Sequence, residues 1–421
     1  MSELQAQSQI NAVDIAIVGG AMAGSILALG LRKLKGSQPL KIALIEAFEP
    51  SASHPGFDAR SIALSHGSIF ELTRLGLWEK LAPLGTAIEH IHVSDRGHLG
   101  MTCLDAAQFN LAAMGQVVEL SRVGSVLFDE LSQSDISLYC PDTLISIAAE
   151  PEHQLLTLAS GARIQAKLLI AADGANSVVA QHFKLPRTQV DFNQTALVAN
   201  IVSQDAHQHQ AFERFTDTGP LALLPMADNA GKHRFSLVWA LEPQRAAHLA
   251  DAPKDEFLSQ LQQAFGYRAG QFIDVGQRVS YPLSLSYMPR PQHHRCLFVG
   301  NAAQTLHPIA GQGFNLGLRD VVSLIDMLAD ALAESMATQE CQLTQTTKEL
   351  DCGNSKLLHQ YSLARESDRR STLSYIEFLV RGFSNQHWPL VAGRNLGLRL
   401  LSWCPPLKQP VGQRAMGWHK Y

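Results

Sequence analysis

The chain has 421 residues, 46% of them apolar and 17% charged, with a formal net charge of −4. Such a length exceeds one ordinary small domain and supplies two interlocked units with a large shared core, leaving no room for long disorder. The charge balance excludes the basic stripe that nucleic-acid binding requires.

The six cysteines, Cys103, Cys140, Cys296, Cys341, Cys352 and Cys404, are scattered and form no CxxC pair. Reduced thiols of a cytoplasmic protein explain them better than a disulfide or metal framework. The close pairs His207/His209 and His293/His294 lack cysteine neighbours and read as exposed loop residues, so no metal is expected. Met1 to Val13 is polar, without the basic and apolar regions of a secretory leader, and no run approaches the roughly 20 apolar residues of a membrane span. The expected location is cytoplasmic, in solution or peripheral at the inner face of a membrane.

In chain order, the first predicted unit is a strand at Asp14 to Val18, a glycine turn, a helix from Met22 to about Leu34 and a strand at Lys41 to Ile45. This is one βαβ crossover. Residues 88 to 123 read as extended, bent near Arg96-Gly97, and a second strand-turn unit covers Leu168 to Ser177. From Phe192 to Leu241 the pattern alternates as half-buried strands do, with a hairpin turn at Asp228 to Gly231 and Phe235, Leu237 and Trp239 on one face. A buried strand at Cys296 to Val299 follows, then a long helix from about Asn315 whose stripe carries Leu318, Val321, Val322, Ile325, Leu328 and Leu332. Residues 336 to 356 read as a Gln/Thr-rich loop. Beyond Leu357 the chain reads as helix broken at Pro389, Pro405 and Pro406.

Three blocks carry chemistry. Gly19-Gly20-Ala21-Met22-Ala23-Gly24 lies between strand and helix, and Glu46 ends the next strand. Glycines there permit a tight turn, the helix start faces a pyrophosphate and the acid takes ribose hydroxyls. Ala21 replaces the middle glycine of GxGxxG, and an ordinary βα turn is the alternative. LLIAADGANS, Leu168 to Ser177, runs a buried strand into Asp173-Gly174, which any strand and turn also explains. CLFVGNAAQTLHPIAGQGFNLGLRD, Cys296 to Asp320, has the most specific pattern: Gly300-Asn301 after a strand, a Pro308 bend, then Gly311, Gly313 and Gly317 around a helix start. Bare backbone N–H groups at a positive helix end suit an anionic or carbonyl-rich ligand.

These blocks, in this order, resemble the flavoprotein aromatic hydroxylases of the para-hydroxybenzoate hydroxylase type. HPIAGQGFNLGLRD is similar to their ubiquinone-biosynthesis branch, as are HPGFDARSIALS (His54 to Ser65), VSDRGH (Val93 to His98), QVVEL (Gln116 to Leu120), AFERFTDTGPLALLPM (Ala211 to Met226) and PLVAGRNLGL (Pro389 to Leu398). The implied fold is α/β: a Rossmann-like FAD-binding domain, discontinuous over 1–190 and 280–335, with an inserted mainly antiparallel β substrate domain. That insert covers 191–279 with contributions from about 88–120, and C-terminal helices fill 336–421. The resemblance places Gly19, Gly20, Ala21, Met22, Ala23, Gly24 and Glu46 on the ADP half of FAD. Arg60 is implied beside the flavin and pyrophosphate, and Glu119 and Arg122 in a helix start touching the cofactor. Asp173 and Gly174 belong to the same set, with Gly300 and Asn301 at the ribityl and pyrophosphate. After the Pro308 bend, Gly311, Gln312, Gly313, Phe314 and Asn315 are implied around the pyrimidine edge. Asn301 stands where many members have Asp, and Ala180 where many have Arg; the second departure puts the charge pairing of Asp173 in doubt.

The implied activity is hydroxylation of a polyprenylated methoxyphenol with O2, through reduced flavin and a C4a-hydroperoxide, with NAD(P)H or another electron donor as a transient reductant. Only one dinucleotide fingerprint is present, so the reductant has no Rossmann site of its own. His307 is considered as a general base, against a role in shaping the bend before Pro308. Arg60 is also compatible with a surface ion pair and Glu119 with a solvated helix acid. Phe215, Leu223, Pro225, Phe235 and Trp239 are candidates for the substrate wall, against plain core packing. The apolar and arginine-bearing stretch Ser371 to Cys404 suits a membrane surface or a partner in ubiquinone biosynthesis, against packing on the nucleotide-binding domain. A dehydrogenase or prenyl reductase of the same fold and a non-catalytic FAD-bound scaffold are the rival readings.

Overall fold

The structure, a computed structural model, describes residues 10–36, 38–49, 60–341, 350–383 and 388–417. The readings made on Met1 to Gln9, His54 to Ala59 and residues 342–349 lie outside the described residues.

The βαβ unit forms as the pattern predicts. The strand Ile10–Val18 leads through the glycine turn into the helix Met22–Arg32 and back to the strand Ile42–Ile45. Both strands end in runs buried on both faces, the signature of a parallel sheet covered by helices. Arg163–Ala171 pairs parallel on the other side of Ile10–Val18, Cys296–Phe298 pairs parallel beyond it, and Ser137–Tyr139 extends the opposite edge. All three glycine blocks therefore emerge at the carboxyl ends of neighbouring parallel strands, where ligands of open α/β sheets bind.

A second eight-stranded sheet is built from His90–Asp95 and Met101–Asp105, the strands Thr188–Ser203, Gln210–Phe215, Pro220–Asn229, Lys232–Leu241 and Phe272–Tyr287, and a short Gln304–Thr305 edge. It is antiparallel except for the parallel pair Gln210–Phe215 with His90–Asp95. Asn229 and Lys232 close the predicted hairpin around Ala230 and Gly231, both at positive φ as a primed turn requires. One face of this sheet is covered by the helices Pro243–Asp251 and Lys254–Phe265, and the other faces the first sheet. A small three-stranded sheet, Ser61–Ser65, Gly115–Glu119 and Thr86–Ile88, lies between the two.

Three boundaries differ from the sequence reading. The extended stretch ends at Glu119, because the helix Leu120–Ser132 starts there. The helix begun at Gln312 runs to Cys341, so residues 336–341 are helix and not loop. Pro389 lies in the first turn of Trp388–Trp403, and Pro405 and Pro406 open Pro405–Ala415, so prolines start these helices, where a missing N–H costs nothing.

The C-terminal helices are part of the core on one side. Ile376 and Val380 are buried beside Phe215, Ile309 and Leu316, and Met416 beside Leu104 and Met114. On the other side Phe378, Trp388, Leu396 and Trp403 are exposed. No described helix is long and apolar enough to cross a membrane.

Candidate functional site

At the first glycine turn, Gly19 has φ +103°, and a Cβ there would meet the Ala172 carbonyl oxygen at 2.5 Å. A Cβ on Gly24 would stand 1.8 Å from the Gly19 carbonyl oxygen, so only glycine lets the helix sit this close to the turn. Ala21 is the N-cap of Met22–Arg32, with no side-chain cap and no acid in the first turn. The leading N–H groups of Met22, Ala23 and Gly24 are thus left for an anion at the positive end of the helix. Glu46, 8% exposed, ends Ile42–Ile45; its Oε2 accepts the Gly20 N–H and its Oε1 the Phe48 N–H at 3.0 Å.

Asp173 and Gly174 follow the end of Arg163–Ala171. Asp173 Oδ2 accepts the Val178 N–H at 2.7 Å, and its Oδ1 is buried without a partner. Burial pushes its carboxyl up, against the hydrogen bonds from Ser177 and the following backbone. The nearby Arg187 interacts electrostatically with Asp173 while its Nη1 donates to the Ala302 carbonyl at 2.6 Å and its Nε to Ser286 at 3.0 Å.

Gly300 has φ +57°, and its Cα would be 2.9 Å from a Cβ on Gly317, so the long helix packs directly on this turn. The turn is fixed by buried Asp320, whose Oδ2 accepts from Gly300 N–H at 3.3 Å and Gln304 Nε2 at 2.5 Å, while Oδ1 accepts from Arg365 at 2.9 Å. Asn301 is exposed and its side-chain amide has no hydrogen bond among the described residues. Asn315, 2% exposed, is fully engaged: Oδ1 accepts from Ser65 N–H at 2.9 Å and Ser68 Oγ at 2.6 Å, and Nδ2 donates to Ala63 and Gly311 carbonyls. Its side chain therefore holds the Gly311 turn against Ser61–Ser65. Gln312 is buried, Phe314 packs on the main core, Pro308 is part-buried, and a Cβ on Gly313 would meet nothing within 4 Å.

The FAD binding domain family matches residues 12–348. The chain belongs to that family. Ubiquinone hydroxylase UbiL of Rhodospirillum rubrum is 32% identical over 96% of this chain and 89% of its own length. The 3-demethoxyubiquinol 3-hydroxylase of Escherichia coli is 30% identical over 96% of this chain and 98% of its own. Among solved structures, p-nitrophenol 4-monooxygenase PnpA of Pseudomonas putida DLL-E4 superposes with a TM-score of 0.73, covering 98% of this chain and all of that one at 16% identity, which establishes the fold.

The cofactor is FAD, and the turns fit it: an uncapped helix start for the pyrophosphate, an unengaged amide at Asn301 for a ribityl hydroxyl, and open space over Gly313 where a ring edge can meet backbone. Between the FAD turns and the second sheet, the Arg60 guanidinium lies 5.0 Å over the Tyr281 ring. Glu119 pairs with Arg234 of Lys232–Leu241 at 3.3 Å, and so bridges the two layers instead of being a solvated helix acid. Arg122 is exposed on the first turn of Leu120–Ser132.

Four of the five wall candidates point away from the FAD side. Leu223, Pro225, Phe235 and Trp239 share the register face of Leu221 and Leu237, and that face lies under the two helices. Trp239 meets Phe257 edge-on, and Leu223 and Phe235 join the same cluster. Phe215 is on the opposite face, packed with Leu306, Ile309 and Leu316 around the Gly311 turn. That inner face carries Val198, Ala222, Leu224 and Val238, all part-exposed, while their helix-side neighbours Leu197, Leu221, Leu223 and Leu237 are fully buried. Alternation revealed two faces but not which one the later helices cover.

His307 is 0% exposed. Its Nδ1 accepts the Ile309 N–H at 3.3 Å, so Nε2 carries the proton and donates to Gln194 Oε1 at 3.2 Å. Burial lowers its pKa to about 4, which leaves a neutral ring that braces the bend before Pro308. His207, read as exposed, is part-buried against Phe235 with Nε2 3.0 Å from the Met226 carbonyl. Among the described residues, no group of three His, Cys, Asp or Glu side chains is placed to hold a metal.

Proposed function

We propose that this chain is an FAD-dependent monooxygenase that hydroxylates the ring of a polyprenylated methoxyphenol in ubiquinone biosynthesis, as 2-polyprenyl-6-methoxyphenol hydroxylase, whose sequence blocks it resembles, does. The observation that carries the reading is the part-exposed apolar wall of Val198, Ala222, Leu224 and Val238 opposite the Gly311 turn. Such a wall accepts an apolar ring and excludes water from it. The names of the Rhodospirillum and Escherichia relatives support hydroxylation in ubiquinone biosynthesis.

In this reading Gly19 to Gly24 and Glu46 hold the ADP half of FAD, Gly300 and Asn301 the ribityl region, and the backbone of Gly311 to Gly313 the pyrimidine edge. Bound FAD supplies the redox and oxygen chemistry, which no protein side chain can provide. The chain orients the ring on its apolar wall, and Arg60, over the Tyr281 ring, adds positive charge beside the second sheet. The nucleotide-binding unit draws on 1–190 and 280–335 apart from the strands of the second sheet that fall in those ranges, and NAD(P)H or another donor visits without a Rossmann site of its own. Exposed Trp388, Leu396 and Trp403, with Arg399 5.6 Å over the Trp403 ring, favour delivery of the insoluble substrate at a membrane surface or by a partner of the pathway.

Purified protein with FAD, NAD(P)H and a short-chain prenyl methoxyphenol should incorporate one atom of labelled O2 into the ring. Oxidation of the reductant with reduction of a prenyl double bond, and no label in the product, would replace this reading by that of a reductase. A protein that binds FAD but turns over no phenol under any donor would favour the scaffold.

A further inference from the structure

Glu213 carries a charge that no described residue answers. On Gln210–Phe215 it pairs with Ala222 on one side and Val93 on the other, which sets it on the inner face in one row with Val238 and Val198. Its Oε1 is buried without a hydrogen-bond partner, while the residue as a whole is part-buried. Its two same-face strand neighbours bracket the Gly311 turn. Ala211 packs with Val117 and Ala63, and Ala63 lies 3.4 Å from where a Gly311 Cβ would be. Phe215 packs with Leu306, Ile309 and Leu316 on the other side of that turn.

The charged and titratable groups on the surrounding elements are already engaged. Arg234 and Glu119 pair with each other, Arg60 covers Tyr281, Asp95 is held through Oδ2 by Arg394 and Asn395 while its Oδ1 has no partner, and His307 is neutral. Desolvation alone acts on Glu213 and raises its carboxyl to about 7. An unpaired carboxylate on an apolar wall is costly to the fold, and such costs concentrate at functional sites.

We propose that Glu213 is the proton acceptor for the substrate's ring hydroxyl. The phenol O–H bond breaks, its electron pair stays on the ring oxygen, and the proton goes to a Glu213 carboxylate oxygen. The resulting phenolate is the electron-rich ring that electrophilic oxygen transfer needs, and a base titrating near working pH is the efficient one. This inference rests on the reading of the protein as a phenol hydroxylase.

Glu213→Gln keeps the shape and removes the base. It should retain FAD, lose hydroxylation by about 10²- to 10⁴-fold in kcat and lose the rise of kcat/KM with pH near neutrality, with partial recovery in Glu213→Asp. A second measurement needs no turnover: binding of a nitrophenol above pH 8 in weak buffer. There the wild type should take up about one proton per probe bound, because two anions in the gap share one proton, and Glu213→Gln should take up none. Wild-type kcat and pH profile in Glu213→Gln, or proton uptake that does not depend on residue 213, overturns the assignment. If the wild type hydroxylates no phenol, the functional reading fails while proton uptake still decides the role of Glu213.

Discussion

Gly313→Ala separates a glycine kept for a ligand from one kept for packing. The added Cβ meets nothing within 4 Å, and the site lies in the first turn of Gln312–Cys341. In flavin-free protein the exchange should be neutral or stabilising by up to about 1 kcal/mol, since alanine favours the helix and narrows the unfolded ensemble. With FAD bound, the methyl stands where backbone meets the ring, and overpacking of about 1–3 kcal/mol weakens affinity roughly 5- to 150-fold. Gly24→Ala is the counterpart. Its Cβ would be 1.8 Å from the Gly19 carbonyl oxygen, so flavin-free stability and FAD affinity should fall together. Thermal unfolding of stripped protein and a fluorescence titration with FAD read the two quantities separately. Wild-type FAD affinity in Gly313→Ala would refute the placement of the Gly311 turn at the cofactor.

Asn301→Asp should keep FAD, whereas Asn301→Leu should weaken it by about 1–3 kcal/mol through an unpaired ribityl hydroxyl; a flavin titration with equal affinities would remove Asn301 from the site. Burial raises Glu213 from 4.5 to about 7, so the folded state holds that proton more tightly than the unfolded one and the destabilisation grows from pH 4.5 to completion above pH 7. Glu213→Gln should therefore stabilise flavin-free protein at pH 8 by ~2 kcal/mol, after a discount for partial exposure, and leave it unchanged at pH 4; an equal shift in melting temperature at both pH values contradicts this. Removing residues 371–421 takes Ile376, Val380 and Met416 out of the core and should give aggregated, flavin-free protein. Replacing Trp388 and Trp403 with Ser should leave flavin and short-chain turnover intact and reduce co-sedimentation with lipid vesicles; undiminished co-sedimentation argues against a membrane role for that surface.

The βαβ unit and the three glycine blocks were legible because each rests on local chemistry: a turn only glycine can make, a helix that must start beside it and strands buried on both faces. Long-range pairings were not. Asp173 is held by the backbone N–H of Val178, and the nearby charge that reaches it is that of Arg187, from beyond the next turn. Asn315 fell inside the most specific motif, yet its amide is spent on Ser65, Ser68, Ala63 and Gly311, some 250 residues away in three of the four cases. Asp320 closed the same motif without an assigned role, and its carboxylate sets the Gly300 turn. Glu213 also lay in a quoted block. Its isolation among apolar neighbours becomes visible only when the register brings Ala222 and Val93 to either side.

The second sheet explains why a site exists where it does. On its helix-covered face Phe212, Phe235 and Trp239 pack with Phe257 and Phe265 of the helix Lys254–Phe265. Its inner face uses small residues, with Ala196 paired to Ala240 and Ala222 across from Val238. Polar contacts tie the second sheet to its neighbours: His307 to Gln194, and Glu119 to Arg234. A carboxylate placed on that wall without a partner is tolerable only if something else enters to meet it, and a phenol beside a flavin brings the hydroxyl that does.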